Sequence, residues 1–237
     1  MENKLNELNA ELERMWNDVV QSDSQKYAPV LFNLPKLRGI VFVGLNPSFS
    51  DEGWKNNLKN TRHRDIDPRT FFSWPRPLDF KADLAHELDR LAHSHYAFFE
   101  QHRKLSDLLN LHWEHIDLFA YRETNQSTAK DKFLKPSKDY QLNDLGEKQY
   151  RLFEKMLELA KPRVVVVANA LASHIYSQYR TPRFDNAKGC YMDKIGSNDV
   201  PVFFSGMLTG QRALDVFSRE RLFWHIKMVA EAENSVS

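Results

Sequence analysis

The sequence predicts an α/β fold: three layers, α/β/α, around a central four-stranded parallel sheet, in a single domain over residues 1–237. Three observations carry this. RVVVV at 163–167 is apolar without alternation, the pattern of a strand buried on both faces under helices. Other short β-branched or aromatic runs alternate along the chain with stretches of helical periodicity. The chain is 42% hydrophobic and 27% charged, a globular balance, and its 237 residues are within reach of one α/β domain.

Taken in order, Leu5, Leu8, Leu12, Met15, Trp16 and Val19 recur at helical spacing, so residues 3–20 read as an amphipathic helix. IVFV at 40–43 reads as a buried strand closed by Gly44, and GLNPS follows as a turn. Residues 50–77 read as a long functional loop, whose Phe71, Phe72 and Trp74 favour ordering because they are costly to leave in water. A helical stretch over 80–103, broken near Ser94, is followed by a short helix around 104–111 and a second strand, HIDLFAY, at 115–121. TNQSTAKDK reads as loop, and 144–160 as a helix that Pro162 stops. After the 163–167 strand, Asn169 caps a helix running to about Tyr179. Residues 180–200 read as loop or a small hairpin, PVFFS at 201–205 as the fourth strand, and 213–233 as the closing helix.

Composition narrows the classes of function. Cys190 is the only cysteine, so an internal disulfide framework, a thiolate zinc cage and a four-cysteine iron–sulfur cluster are out of reach. No apolar run is long enough to span a bilayer, and MENKLNELNAELERMW lacks the apolar core of a secretory signal; the expectation is a cytoplasmic protein without membrane partners, and a monomer. The net charge is only +1, yet Lys55, Lys59, Arg62, Arg64, Arg69 and Arg76 face just Asp65 and Asp67, a local excess of +4. That segment reads either as a solvated loop or as a phosphate-contacting surface through Arg62 and Arg64.

In a parallel sheet ligands bind beyond the carboxyl ends of the strands, and three polar segments follow directly on strands here: GLNPS, AYRETNQ and GMLTGQRALD. They are expected to converge on one rim. The chain has no G-x-G-x-x-G, no G-x-x-x-x-G-K-[ST] and no G-x-S-x-G, so dinucleotide, P-loop and α/β-hydrolase machinery lack their loops. His86, His93, His95, His102, His112 and His115 crowd one region without the close spacing of metal ligands, so no metal and no cofactor is expected. Asn46 is a weak base, but its side-chain carbonyl can orient a water while its NH₂ donates elsewhere. Such a group suits a bond that breaks largely by itself and leaves a cation for water to capture, as an N-glycosidic bond does. Thr209, Gly210, Gln211 and Arg212 read either as a phosphate grip of hydroxyl, backbone N–H and guanidinium or as a Thr-capped helix start.

The order of these pieces resembles the uracil-DNA glycosylase superfamily. GLNPS resembles its first motif in the G-x-N-P-[GS] form of the mismatch-specific and single-strand-selective branches. LELAKPRVVVVANALASHIY resembles the family's late helix, Lys/Arg-Pro, buried strand and small-residue helix. PVFFSGMLTGQRALD falls where the family has its last strand and second motif, and HIDLFAYR where a family strand carries a uracil-reading Asn. The resemblance implies a DNA-base glycosylase acting on a flipped nucleotide in single-stranded or damaged duplex DNA. It implies Asn46 as the water-positioning residue, Gly44, Leu45, Pro47 and Ser48 against the base, and Phe71 or Phe72 stacked on it. Two positions depart from the pattern. Asp117 stands for the base-reading Asn and, ionised, only accepts hydrogen bonds, which suits an amino-bearing base. Met207 lies in MLT, where the family has His-Pro-Ser, and offers no stabilisation to a departing base. Two other readings stand beside this one: a catalytically inactive nucleic-acid-binding protein on the same fold, and a small-molecule nucleoside hydrolase.

Overall fold

A computed structural model describes residues 1–20, 27–136 and 139–234. Leu5, Leu8, Leu12, Met15 and Trp16 share one helix face and are all buried, which gives α1 (Glu2–Val20) its seat. β1 (Ile40–Gly44) is buried through Val43. The expected long loop holds two short helices, α2 (Asp51–Leu58) and α3 (Pro68–Phe71). Local chemistry starts both: Ser50 and Asp67 accept from the backbone N–H of Gly53 and Thr70, and Pro68 opens α3 with its φ already set.

α4 (Ala82–His95) ends at Tyr96, whose backbone is extended, and a 3₁₀ turn (Ala97–Phe99) leads into α5 (Glu100–Leu109). The break expected near Ser94 thus falls at Tyr96, and α5 runs on through the boundary expected between 103 and 104. β2 (Trp113–Asp117) stops four residues short of the expected 121, because the chain turns from the sheet to bond the ends of β1: Leu118 and Phe119 donate to the carbonyls of Gly44 and Leu45. α6 (Gln126–Phe133) replaces an expected loop; Asn125 caps it, and Ala129 and Phe133, four apart, are buried. Then come α7 (Asp144–Ala160), β3 (Val164–Ala168), α8 (Ala170–Arg180), β4 (Arg183–Asp185), β5 (Cys190–Ile195), β6 (Asn198–Ser205) and α9 (Val216–Asn234).

The sheet has six strands where four were expected, in the order β2-β1-β3-β6-β5-β4. β2, β1, β3 and β6 run parallel, while β5 and β4 form an antiparallel hairpin added beside β6. A buried polar knot holds that hairpin. Asp193 of β5, 4% exposed, accepts from Tyr176 Oη at 2.6 Å and Arg180 Nε at 2.9 Å, and Arg180 also pairs with Glu154 at 3.1 Å. Because Asp193 is fully partnered, its burial costs little that the knot does not return.

Successive residues of the central strands feed opposite layers. Val41, Val43, Val165 and Val167 pack with α1, α7 and α8; Ile40, Phe42, Val164 and Val166 pack with α5 and α9. A smaller cluster of Trp54, Leu58, Phe72, Leu88 and Ala92 joins α2, α3 and α4 at one end. No helix among the described residues is long and apolar enough to cross a membrane.

Gly44 marks the point where sheet becomes site. It pairs with Asp117 across β1 and β2, and a Cβ there would lie 2.1 Å from Asp117 Oδ1 and 3.0 Å from His115 Nε2. The expected effect of Gly44→Ala is a destabilisation of roughly 1–3 kcal/mol from overpacking, read as a lower Tm. Adding Asp117→Ala should recover part of it; an unchanged Tm in the single variant would show that the carboxylate yields freely.

Candidate functional site

The order of the parallel strands places β2 on one side of β1 and β3 on the other, so the chain reverses its direction of travel across the sheet at β1. Beyond the carboxyl ends at such a point a crevice opens, and a cavity of about 770 Å³ lies there. Its wall takes Gly44–Ser48 from the end of β1, Asp117 from the end of β2, Ala120, Arg122 and Glu123 from beyond it, Ala168 and Asn169 from the end of β3, and Met207 and Leu208 from beyond β6. Residues of α2, α4, α5 and the 3₁₀ turn close it, with Asn125, Gln126 and Ser127 at the start of α6. The volume is that of a site for a metabolite-sized ligand.

Asn46 binds the β1 turn to the segment after β2. Its Nδ2 donates to the carbonyls of Tyr121 at 3.1 Å and Glu123 at 2.6 Å, with Pro47 O at 3.3 Å. Carbonyl oxygens only accept, so the NH₂ must face them and the orientation of the amide is decided. Its Oδ1 accepts no hydrogen bond among the described residues and is left for a ligand or a water. The same two segments are also joined by Glu123 N to Pro47 O at 3.0 Å and Thr124 Oγ1 to Phe49 O at 2.7 Å.

Between the two carbonyls that Asn46 holds lies Arg122. Its side chain is 5% exposed, its Nε is buried without a partner, and it makes no hydrogen bond or ion pair with any described residue. Its guanidinium carbon stands 4.1 Å from the centre of the Phe72 ring, a cation–π contact that offsets part of the desolvation. Burial lowers its pKa to about 10, against the attraction of Asp89. Asp89, on α4 and also on the wall, is pushed up to about 6 by burial, against Arg122, Arg90 and Arg76. An unpaired buried cation is expensive to maintain, and such groups concentrate at functional sites.

Beside this pair the wall is imidazole and aromatic. His102 is 1% exposed with both ring nitrogens unpartnered among the described residues, and burial lowers its pKa to about 2. His93, lowered to about 3 by burial, packs with it against Phe99 and Trp113, so both rings are neutral at pH 7. His115 Nε2 lies 3.2 Å from Asp117 Oδ1. Among the described residues no three His, Cys, Asp or Glu side chains gather as a metal-holding group. No protein-family model and no curated protein matches this chain.

The sequence-derived candidates separate into two sets. Gly44, Leu45, Asn46, Pro47, Ser48, Asp117 and Arg212 line the cavity together. Phe71 and Phe72 do not: Phe72 is 1% exposed in the α2–α4 cluster and Phe71 packs on Phe80. The ring that Phe72 was expected to offer a base supports Arg122 instead, and Phe98 and Phe99 of the 3₁₀ turn line the cavity. Thr209 is likewise off the wall; its Oγ1 donates to Phe98 O at 3.0 Å and so steadies that turn. Gly210, at φ +89°, and the exposed Gln211 form a turn outside the cavity, and the start of α9 is capped by Asp215, which accepts from Ser218 N, not by Thr209. Arg62 pairs with Glu87 at 2.7 Å and Arg64 with Asp65 at 3.8 Å, both exposed and away from the wall.

Arg122, Asp89, Phe98 and His102 were missed as site residues. Arg122 had a faint signal, a guanidinium directly after the apolar LFAY run on the expected rim; the other three sit in helical periodicity that reads as ordinary surface and core.

These ionisations predict a pH signature. Asp89 holds its proton to about pH 6 when folded and to about 3.8 when unfolded, so its contribution to stability is full below the lower value and lost as pH rises through 6. His93 and His102 act oppositely: their contribution is present above about 6.5 and lost as pH falls. Between pH 4 and 6 Asp89 therefore cancels about one of the protons that the two histidines take up on unfolding. Asp89→Asn should steepen the rise of unfolding free energy with pH in that window by about 1.4 kcal/mol per pH unit, measured by denaturant titration. Parallel curves for variant and wild type would disprove this assignment.

Proposed function

We propose that the protein hydrolyses an N-glycosidic bond, with Asn46 Oδ1 orienting the attacking water and the base seated against the Gly44–Ser48 turn. The observation that carries this reading is the amide of Asn46, clamped through its NH₂ to two carbonyls so that its acceptor is fixed on the cavity wall. A water held there needs no strong base, because the bond breaks ahead of its attack. Asp117, opposite Gly44 at the ends of β1 and β2, would accept from an exocyclic amino group of the base. Phe98, which lines the same cavity, is the candidate ring to stack on the base. Where Met207 gives the departing base no help, His102 supplies a neutral imidazole on the same wall, able to donate to developing negative charge.

The resemblance in sequence supports DNA as the carrier of that base, extruded into the cavity. One observation favours a second carrier, a free nucleoside or nucleotide. Lys55, Arg62, Arg64, Arg69 and Arg76 are paired with Asp51, Glu87, Asp65, Asp51 and Glu13 and none lines the cavity, so the basic segment is not arranged around its mouth.

The test offers the protein oligonucleotides carrying uracil, hypoxanthine, xanthine or alkylated bases, together with free nucleosides and nucleotides, and follows the released base by chromatography. Base release is expected from at least one class, falling by about 10²-fold or more in Asn46→Ala when the variant remains folded by circular dichroism. Absence of release from every substrate would remove the proposal.

A further inference from the structure

The unpaired guanidinium on the cavity wall is not used by the chemistry above. Arg122 is 5% exposed, lines the cavity, and donates to no described residue, while the carboxylates of the same wall other than Asp89 have partners of their own. Glu123 Oε1 accepts from Asn125 N at 2.7 Å, Glu114 Oε1 from Lys36 N at 3.0 Å, and Asp117 lies against His115. Asp89 remains, close enough to attract Arg122 but beyond ion-pair distance, and it too has no hydrogen bond among the described residues. The first turn of α6 follows Arg122 by four residues and reaches the same wall with Asn125, Gln126 and Ser127, adding the positive end of a helix to the same region. His93 and His102, both neutral, contribute neither attraction nor repulsion of full charge.

We propose that Arg122 is the seat of a terminal phosphate, so that the cavity admits a whole mononucleotide instead of one base turned out of a strand. A guanidinium matches phosphate through parallel N–H donors, and its value rises where water is excluded. The depth of Arg122 is what discriminates. The phosphodiester of a polymer continues on both sides and stays at the mouth of a pocket, whereas a terminal phosphate enters with the rest of its molecule. The volume of about 770 Å³ has room for base, sugar and phosphate together. This inference deepens the glycosidic reading by naming the carrier, but its test reads binding, so it stands or falls separately from catalysis.

The experiment is calorimetric titration of the protein, at fixed ionic strength, with inorganic phosphate, with the four deoxynucleoside monophosphates, with their nucleosides, and with a short single-stranded oligonucleotide lacking terminal phosphates. At least one monophosphate is expected to bind tenfold or more tightly than its nucleoside, with inorganic phosphate competing. Arg122→Gln should erase that tenfold difference. Asp89→Asn should strengthen phosphate binding severalfold by removing the competing carboxylate; this variant keeps the cation and reports even where Arg122→Gln fails to fold. Equal binding of nucleoside and monophosphate, competition by the oligonucleotide as strong as by the monophosphate, or no binding of any phosphate-bearing probe at millimolar concentration would each overturn the proposal.

Discussion

The site depends on one side-chain amide. Asn46 stands where the backbone leaves β1, and its NH₂ reaches across to the carbonyls of Tyr121 and Glu123. Apart from that bridge, the bonds that join the 121–124 segment to the β1 turn among the described residues are Glu123 N to Pro47 O and Thr124 Oγ1 to Phe49 O. The bridge therefore decides where Arg122, between those carbonyls, can point. It also decides where the free oxygen of Asn46 points, because an amide with its nitrogen engaged has one remaining direction for its acceptor. One residue thus couples the shape of the turn, the position of the interior cation and the acceptor on the cavity wall.

A second constraint is steric. Gly44 leaves room for Asp117 and His115 to lie directly over the end of β1, since a Cβ would meet the carboxylate at 2.1 Å. Parallel strands bring their carboxyl ends to the same level, so the side chains at those ends are forced into proximity. The cavity is built on that crowding: the acid of β2, the amide of β1 and the turn after β6 come from distant parts of the chain and share one wall.

The electrostatics of the interior follow from burial more than from pairing. Arg122, Asp89, His93 and His102 are all displaced toward their less charged forms, in each case chiefly by loss of water. Arg122 still carries its charge at neutral pH, since about 10 is far above 7. The result is two neutral imidazoles and aromatic rings on the same wall as one buried cation, with a carboxylate that changes charge near pH 6 as its loose counterpart. Phe72 serves that cation from behind, which is why an aromatic expected at the ligand is found in the core.

Local rules were enough for much of the fold. Unbroken apolar runs at 40–43 and 163–167 specify strands buried on both sides, and Asn169 specifies the start of the helix after them, because these signals act within a few residues. The same locality made Gly44–Ser48 legible as rim residues, since they follow a strand and strand ends in a parallel sheet meet; Asp117 was singled out by the resemblance, because the expected strand ran on past it to 121. Tertiary structure alone decided the rest. The length of β2, the α6 helix and the choice between loop and hairpin over 180–200 depend on partners far along the chain, such as Asp193 with Arg180 and Tyr176. Whether Phe72 faces a ligand or a guanidinium, and whether Arg122 is paired or alone, is likewise a matter of which distant side chains arrive beside them. No periodicity encodes that, since a charge is isolated only by what the folded chain places around it.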